Sequence, residues 1–310
     1  MMHVLCVGHA SYDLSMQVSA HPASNEKCTA SAIQVSGGGP AANAAVCISR
    51  LGGRAAFCGY LGHDTFGEIH LQEFIRENVE VRWITRGTAA SNVSQILAKP
   101  DGSRSVVNYR EHDFLPAETP APTPSDFGAI LIDGHEPLLS LAIAQRAKHL
   151  QIPVIYDAGS LRSGSVELLQ YVDYLVASET FSHQYTRQYF NQLAGQENDI
   201  QVDYSLSLSL KILSACCPSV IITTGENGLI WQHNNQQGVM PAFPVQTIDS
   251  TGAGDAFHAA FAYGITLKLP WEKLLRFASA AGALACTKLG ARPAMPDLQA
   301  LQSFLATSEQ

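Results

Sequence analysis

Hydrophobic residues follow two alternating patterns along this chain of 310 residues. Short apolar runs are typical of strands buried on both faces, and segments with apolar residues three and four apart are typical of helices. Strands are predicted at 4–8, 55–61, 128–133, 153–157, 174–177 and 219–224, with an antiparallel pair at 229–233 and 238–243. Helices are predicted at 40–51, 65–77, 138–150, 166–171, 206–214, 254–267 and 270–288. This alternation predicts an α/β fold whose central, mostly parallel sheet is covered by helices on both faces.

A period of two interrupts this alternation. The segments that show it are 30–36, 91–98 and 104–110. The sequence Lys-Pro-Asp-Gly-Ser at 99–103 indicates a hairpin turn between the last two. We therefore expect a small β-sheet, built from about 14–36 and 91–110, that is inserted as a lid into a single domain spanning 1–310.

Composition narrows the class of protein. The chain is 46% hydrophobic and carries a net charge of −8 without a run of lysine and arginine, which argues against nucleic acid or an anionic membrane as a partner. No signal-peptide pattern opens the chain, and no apolar stretch reaches the roughly 18 residues that span a bilayer. Seven cysteines without a C-x-x-C pair indicate free thiols in a reducing compartment. We expect a cytoplasmic protein.

The sequence Asp-Ser-Thr-Gly-Ala-Gly-Asp at 249–255 precedes a helix rich in small residues. A helix start presents unpaired N–H groups and the positive end of the helix dipole, so it favours an anion. Gly252 and Gly254 leave room for a ligand to approach the backbone. Asp255 would lie in the first helical turn, where it could take a proton from a hydroxyl. The alternative is that Asp255 only complements the dipole and Asp249 only serves the turn.

A second glycine-rich sequence, Gly-Gly-Gly-Pro-Ala-Ala-Asn, occupies 37–43. Its glycines would admit a polyhydroxyl ligand, and Asn43 offers both a donor and an acceptor; a tight strand-to-helix turn is the alternative. The sequence also matches the dinucleotide fingerprint loosely. That fingerprint needs an acid near the end of the following strand, whereas the first acid here is Asp64 in the loop beyond, so NAD is disfavoured. Another glycine-rich loop, 223–228, follows a buried strand and is either a ligand loop or a hairpin turn.

Together, the sequences at 37–43 and 249–255 resemble the two signatures of the PfkB/ribokinase family of carbohydrate kinases. The segment Gly-Tyr-Leu-Gly-His-Asp-Thr-Phe-Gly at 59–67 and the loop 223–228 are similar too, so the resemblance covers essentially the whole chain. It implies a ribokinase-like three-layer α/β/α fold with an inserted β-sheet lid. It also implies transfer of the γ-phosphate of ATP, with Mg²⁺, to a sugar hydroxyl.

The resemblance assigns roles to individual residues. Asp255 would be the general base, and the backbone amides of Gly252, Ala253 and Gly254 would form the anion hole for the phosphoryl group. The residues implied to hold the sugar are Asp13, Gly38, Gly39 and Asn43. Those implied to border the nucleotide are Thr223, Gly225, Gly228 and Ser279. Those implied to border a monovalent cation such as K⁺ are Asp249, Thr251 and Gly290, although similar sequences occur in members that need none.

Two departures from the family pattern concern the metal and the substrate. Where the family commonly carries Asn-x-x-Glu, which helps to organise magnesium-bound water, this chain has Ser178 followed by Glu179, Thr180 and Phe181. Ser178 is therefore kept as a nucleotide-side residue, and the metal-orienting residues are open. Glu179 could substitute, but a surface helix acid is the favoured interpretation.

The chain looks similar to a bacterial branch of the family that includes the 6-deoxy-6-sulfofructose kinases. In that branch a lysine, an asparagine and an arginine would hold the sulfonate, and Lys27 and Asn108 stand at matching places. At the arginine, however, the sequence reads Asp133-Gly134-His135-Glu136. Because histidine is a weaker, pH-dependent cation and the neighbours are acidic, a neutral, fructose-like sugar is favoured, with Asp133 and His135 as candidate contacts.

Several alternatives stay open. A sulfosugar or a nucleoside could replace the neutral sugar, although Tyr12 is the main aromatic residue near Asp13. A protein of another class, a sugar sensor without catalysis, is a further alternative.

The lid's edge strands predict a homodimer. His63 and His70 are interpreted as surface residues. The aromatic residues assigned to the core or its edge are Trp231, Tyr263 and Trp271.

Overall fold

The computed structural model of the protein describes residues 2–99, 103–194 and 205–308. Its strands are β1 (Met2–Gly8), β2 (Ser11–Gln17), β3 (Ala32–Gly38), β4 (Ala55–Gly62), β5 (Ile84–Gly87), β6 (Val93–Ala98), β7 (Arg104–Tyr109), β8 (Phe127–Ile132), β9 (Val154–Ala158), β10 (Tyr174–Ser178), β11 (Ser219–Thr223), β12 (Leu229–His233) and β13 (Gln236–Met240). Its helices are α1 (Pro40–Arg50), α2 (Thr65–Arg76), α3 (Pro137–His149), α4 (Ser165–Leu169), α5 (Glu179–Ala194), α6 (Leu206–Ser214), α7 (Ala253–Thr266), α8 (Trp271–Ala285), α9 (Ala291–Ala294) and α10 (Leu298–Thr307). None of the described helices is both long and apolar enough to cross a membrane.

Nine strands form one sheet in the order β13-β12-β11-β10-β9-β8-β1-β4-β5. Its neighbouring strands are parallel except at β11–β12 and β12–β13. In β1, Val4 and Cys6 join the core on one face of the sheet, while Leu5 and Val7 join the core on the other. Helices α1, α7 and α8 cover the first face, and α3 to α6 cover the second. The three-layer α/β/α fold class is therefore confirmed.

Four further strands form a separate sheet in the order β3-β2-β6-β7, which is the predicted lid. It begins at Ser11 rather than near residue 14. The early part of β2 escaped the prediction because Ser11, Asp13 and Ser15 are buried although polar. Residues 100–102 of the predicted hairpin turn lie outside the described part of the chain.

Three helices and one strand were missed by the sequence analysis: α5, α9, α10 and β5. In α5 the buried residues Phe181, Ser182, Tyr185 and Thr186 include hydroxyl side chains, so no clear apolar stripe marks the helix. Thr186 instead donates to Ser209 Oγ of α6 at 2.9 Å. Hydrogen bonds between buried hydroxyl groups thus replace part of the hydrophobic contact that usually reveals a helix.

Side-chain burial corrects one expectation and confirms another. His70 is not a surface residue: it is 1% exposed and stacks on the ring of Phe74. Its seven-residue spacing from His63 carried no information about burial, because α2 packs one face against the sheet. Trp231 and Tyr263 are buried in the core, as predicted.

Candidate active site

The sequence at 249–255 forms the turn that enters α7. Gly252 precedes the helix with φ at 82°, and a Cβ there would lie 2.7 Å from the Cβ of Ala291, so both conformation and space require glycine. Asp255 lies in the first turn of α7. The helix start offers N–H groups and a positive dipole end directly beside this carboxylate, an arrangement suited to an anion.

Asn43 of α1 connects the two glycine-rich sequences. Its amide Nδ2 donates to Asp255 Oδ2 at 2.7 Å. Burial raises the pKa of Asp255, and the hydrogen bond from Asn43 opposes that rise. Two signatures distant in sequence therefore meet at one partly buried carboxylate that can accept a proton.

Arg292 holds the opposite end of the Asn43 amide. Its Nε donates to Asn43 Oδ1 at 3.2 Å, which turns Nδ2 toward Asp255. The arginine is 1% exposed, and its Nη1 lies 3.4 Å from Glu73 Oε2. The sequence analysis missed this residue. Its signal was an arginine within the otherwise small and apolar segment 290–296, which pattern reading does not distinguish from a surface arginine.

The sugar-side residues Asp13, Gly38 and Gly39 lie together where β2 and β3 pair. A Cβ on Gly38 would lie 1.9 Å from Asp13 Oδ2, and one on Gly39 would lie 2.5 Å from the carbonyl oxygen of His9. Ser11 Oγ donates to Asp13 Oδ1 at 2.6 Å. Burial raises the pKa of Asp13, and this hydrogen bond opposes it. The predicted glycines therefore leave space for the aspartate itself as well as for a ligand.

Asp133, a candidate sugar contact, is hydrogen-bonded to three backbone N–H groups. Its Oδ2 accepts from the backbone N–H groups of His9 and Ala41 at 2.8 and 3.1 Å, and its Oδ1 accepts from that of His135 at 2.9 Å. Although burial acts in the opposite direction, the charge of His135 and these hydrogen bonds hold the pKa of Asp133 well below its usual range. The carboxylate joins the end of β1, the start of α1 and the loop after β8. The His135 ring stacks on that of His9, with ring centroids 4.9 Å apart.

Glu136 is likewise occupied by protein groups. It is 1% exposed, and it accepts from Arg110 Nη2 and from the backbone N–H of Leu115, both at 2.7 Å. The acidic character inferred from Asp133 and Glu136 is thus offset within the protein, which corrects the argument that these charges face the ligand. Lys27 and Asn108, the other candidate ligand residues, are exposed, the first between β2 and β3 and the second on β7.

A hydrogen bond joins the lid to the catalytic turn. Arg104, the first residue of β7, donates from Nη1 to Ser250 Oγ at 2.9 Å. Its positive charge lowers the pKa of Asp255. The lid is therefore connected to the sequence that carries the candidate base.

A cleft of about 670 Å³ borders the start of α7. Four of the five predicted nucleotide-side residues line it: Thr223, Gly225, Gly228 and Ser279. Ala253 and Gly254 also line it, so the cleft reaches the predicted anion hole. Ser178 is not among its lining residues; its hydroxyl accepts from the N–H of Phe181 at the start of α5 and donates to Gly159 O.

The three residues predicted to border a cation are brought together. Asp249 Oδ1 accepts from the N–H and the hydroxyl of Thr251 at 2.9 and 2.6 Å, and Oδ2 accepts from the N–H of Gly290 at 2.8 Å. These bonds satisfy the buried Asp249 carboxylate within the protein. Within the described ranges, no cluster of three or more His, Cys, Asp or Glu side chains could hold a metal ion.

Comparisons with known proteins extend over the whole chain. The structure of Arabidopsis thaliana ribokinase with ribose and ATP superposes with a TM-score of 0.81 at 24% identity, covering 98% of this chain and 99% of that one. A solved structure of a protein from Agrobacterium tumefaciens superposes with a TM-score of 0.85 at 27% identity, covering 100% and 99%. These similarities define the class of ribokinase-like α/β proteins.

Sequence relatives identify the family. A family model described as pfkB family carbohydrate kinase matches residues 1–298. The ribokinase of Lactococcus lactis is 28% identical over 100% of this chain and 99% of its own length. Fructokinase-2 of Solanum habrochaites is 30% identical over 84% of each chain. The chain therefore belongs to the pfkB family of carbohydrate kinases, and the predicted family is confirmed.

Proposed function

We propose that the protein transfers the γ-phosphate of ATP to a hydroxyl of a monosaccharide, with a fructose-like ketohexose favoured. The observation that carries this proposal is the hydrogen bond between Asn43 and Asp255. It joins the residue that follows the cleft-lining Gly254 to Asn43 of the sugar-side sequence, which supports a partly buried Asp255 carboxylate as the base that acts between nucleotide and sugar.

In this reaction the sugar hydroxyl oxygen forms a bond to the γ-phosphorus, and the bond from that phosphorus to the β,γ-bridging oxygen breaks. The hydroxyl proton passes to Asp255, and ADP leaves. The backbone amides of Gly252, Ala253 and Gly254 stabilise the charge on the transferring phosphoryl, which is the main demand of phosphoryl transfer. The lid closes over the sugar and excludes water, which protects ATP from hydrolysis.

Magnesium would enter with the nucleotide, because it is usually held by one or two carboxylates together with the substrate phosphates. When bound, it would offset the charge of the triphosphate. Glu179, at the exposed start of α5, is the nearest match to the family's missing glutamate. A monovalent cation such as K⁺ would lie beside Asp249, Thr251 and Gly290, which hydrogen bonds already hold together.

Relatives and local chemistry support a neutral sugar. The relatives include ribokinases and fructokinases. Arg110 directs its guanidinium to the carbonyl oxygens of His112 and His135 and to Glu136, so it is engaged within the protein rather than kept for a sulfonate. A sulfofructose-type kinase would instead depend on Lys27 and Asn108 of the lid. A nucleoside kinase is the remaining candidate within the family.

A substrate screen separates these candidates. ADP release would be measured with Mg–ATP over fructose and other ketohexoses, 6-deoxy-6-sulfofructose, ribose and adenosine. The proposal requires the highest kcat/KM with a neutral ketohexose. Preference for the sulfosugar would move the assignment to the sulfofructose branch. If a sugar binds but none is phosphorylated, the protein is a sugar sensor.

The Asp255→Asn variant tests the base directly. We expect kcat to fall by roughly 10²–10⁴-fold, since the proton acceptor is lost, while ATP affinity measured by calorimetry stays near that of the wild type. The matched control is Asp126→Asn, which changes an exposed aspartate in a 3₁₀ turn far from α7 in sequence. Turnover by Asp255→Asn close to that of the control would refute the role of the base.

We also propose that two copies associate through their lids. The outer lid carries exposed apolar side chains, and β7 is exposed along its whole length. The largest of these exposed side chains are Ile33, Val106, Val107 and Tyr109. Unprotected edge strands and apolar patches of this kind favour pairing with another chain.

A further inference from the structure

His258 lies one helical turn beyond Gly254, on the protein side of the predicted anion hole. It is 5% exposed. Its Nδ1 lies 2.5 Å from the carbonyl oxygen of Gly254, and its Nε2 lies 3.2 Å from the carbonyl oxygen of Val176 on β10. Nε2 also lies 3.4 Å from Oδ1 of Asp157, at the end of β9.

Each ring nitrogen of His258 therefore faces oxygen atoms. A backbone carbonyl oxygen carries no hydrogen and can only accept, so each contact requires a hydrogen on the ring nitrogen. Neutral imidazole carries one such hydrogen, whereas imidazolium carries two. Only the charged ring satisfies both contacts, and the carboxylate of Asp157 is in place to offset its charge.

We propose that His258 is an imidazolium paired with Asp157, and that this pair is a positioning element behind the catalytic turn. One ring nitrogen fixes the peptide that joins Gly254 to Asp255. The positive charge favours the ionised form of Asp255, which the base requires. The functional part of this inference rests on the proposed kinase reaction, whereas the charge state does not.

The charges around the pair agree with this assignment. The charge of His258 lowers the pKa of Asp255. Burial raises the pKa of Asp157 to about 6, and His258 opposes that rise, so Asp157 is ionised at pH 8.

Other titratable groups face the pair from neighbouring elements. Asp133 and His135, at the end of β8, act on Asp157 with opposite signs. Asp133 also raises the pKa of Asp255. On α1, burial raises the pKa of Cys47 to about 12, so this thiol stays neutral. Arg104 of the lid acts on Asp255 in the same direction as His258.

The charge state is tested without an activity assay. Long-range ¹H–¹⁵N NMR spectra of ¹⁵N-histidine-labelled protein at pH 8 report whether one or both ring nitrogens carry hydrogen, and His258→Gln identifies the signal by its loss. We expect the imidazolium pattern in the wild type and a neutral ring in Asp157→Asn. A single neutral tautomer of His258 in the wild type at pH 8 would overturn the proposal, whatever the kinase assays give.

The positioning role is tested by kinetics on the best sugar from the screen. Replacing His258 by Gln should lower kcat about tenfold, the effect of one charge-assisted contact, with the KM for sugar little changed. Because a positive charge near Asp255 is lost, the acid limb of kcat/KM should move to higher pH. Asp157→Asn should also lower kcat, but it removes a negative charge that repels that of Asp255, so its acid limb should move less than that of His258→Gln. The control is His149→Gln at the exposed end of α3.

An unchanged pH profile of kcat/KM in His258→Gln would overturn the positioning role. If the wild-type protein shows no turnover with any sugar, the kinase assignment is refuted instead.

Discussion

Replacing Arg292 by methionine separates the stability of the fold from the alignment of the base. Methionine fills a similar volume but removes both the positive charge and the donor to Asn43. Arg292 is fully buried, with Nη1 at 3.4 Å from Glu73 and its guanidinium over the ring of Phe74. Nε supplies the 3.2 Å hydrogen bond to Asn43 Oδ1. The change therefore acts on an ion pair and on the active site together.

The structural loss can be sized from these contacts. Removing one partner of a buried ion pair costs about 3–5 kcal/mol of unfolding free energy, because the other charge is left without compensation. The Glu73 side chain is 15% exposed and also accepts from the N–H of Gly37, so the lower end of that range applies. At about 2–3 °C per kcal/mol for a chain of this size, Tm should fall by roughly 6–9 °C.

The catalytic loss comes through Asn43. Without the donor on its Oδ1, the amide is free to rotate and to withdraw Nδ2 from Asp255. A hydrogen bond to a charged group contributes about 1.5–3 kcal/mol, so kcat should fall about tenfold or more. Since this bond lowers the pKa of Asp255, its loss should also shift the acid limb of kcat/KM to higher pH.

The assay compares Arg292→Met with Arg292→Lys, using calorimetric Tm and ADP release well below the Tm of each variant. Lysine keeps the charge beside Glu73 but lacks the planar donor set, so it should recover more stability than activity. If kcat of Arg292→Met equals that of the wild type while its Tm falls, the connection through Asn43 to Asp255 is wrong. If Tm is unchanged, the buried ion pair does not stabilise the fold.

Three other changes test separate parts of the site. Gly38→Ala should lower kcat/KM for the sugar by roughly tenfold or more, because its Cβ would displace Asp13. The control is Gly159→Ala, because a Cβ at Gly159 would meet no atom within 4 Å. Asp133→Asn should lower the unfolding free energy at pH 7 by roughly 1–3 kcal/mol. Because folding depresses the pKa of Asp133, its contribution to the unfolding free energy is present above about pH 4 and is lost as the pH falls further. The unfolding free energies of wild type and variant, measured by urea titration, should therefore become equal in acid. A difference that stays constant with pH contradicts this. Val107 of the lid is 71% exposed, and Val107→Asp should convert a dimer to a monomer in gel filtration. A wild-type protein that elutes as a monomer would refute the dimer proposal.

Much of the fold followed from the sequence. Strands such as β1 and β8 are apolar on both faces, and this is a property of the local sequence alone. The prediction failed where buried side chains are polar. Helix α5, which buries Ser182 and Thr186, was not predicted, and in the correctly predicted α2 the burial of His70 was missed. Partners on other elements make such burial favourable, as Ser209 does for Thr186.

Some residues of the candidate site could likewise be identified from the sequence, and others could not. Gly252, Gly39 and Asp255 could be found because backbone geometry and a helix start impose local requirements on the sequence. The task of Asp133 could not, since its partners His9 and Ala41 are distant in sequence. A strand-end carboxylate looks the same in sequence whether it faces a ligand or three backbone N–H groups.

The sequence by itself thus determined the family, the layered sheet and the two glycine-rich turns, because each depends on short-range pattern and spacing. Tertiary structure alone decided how the carboxylates are used. It aligned Arg292 and Asn43 behind Asp255, and it brought Asp157 to His258. The physical reason is that burial and charge pairing arise between elements far apart in sequence, and their effect on proton affinity exists only once those elements meet.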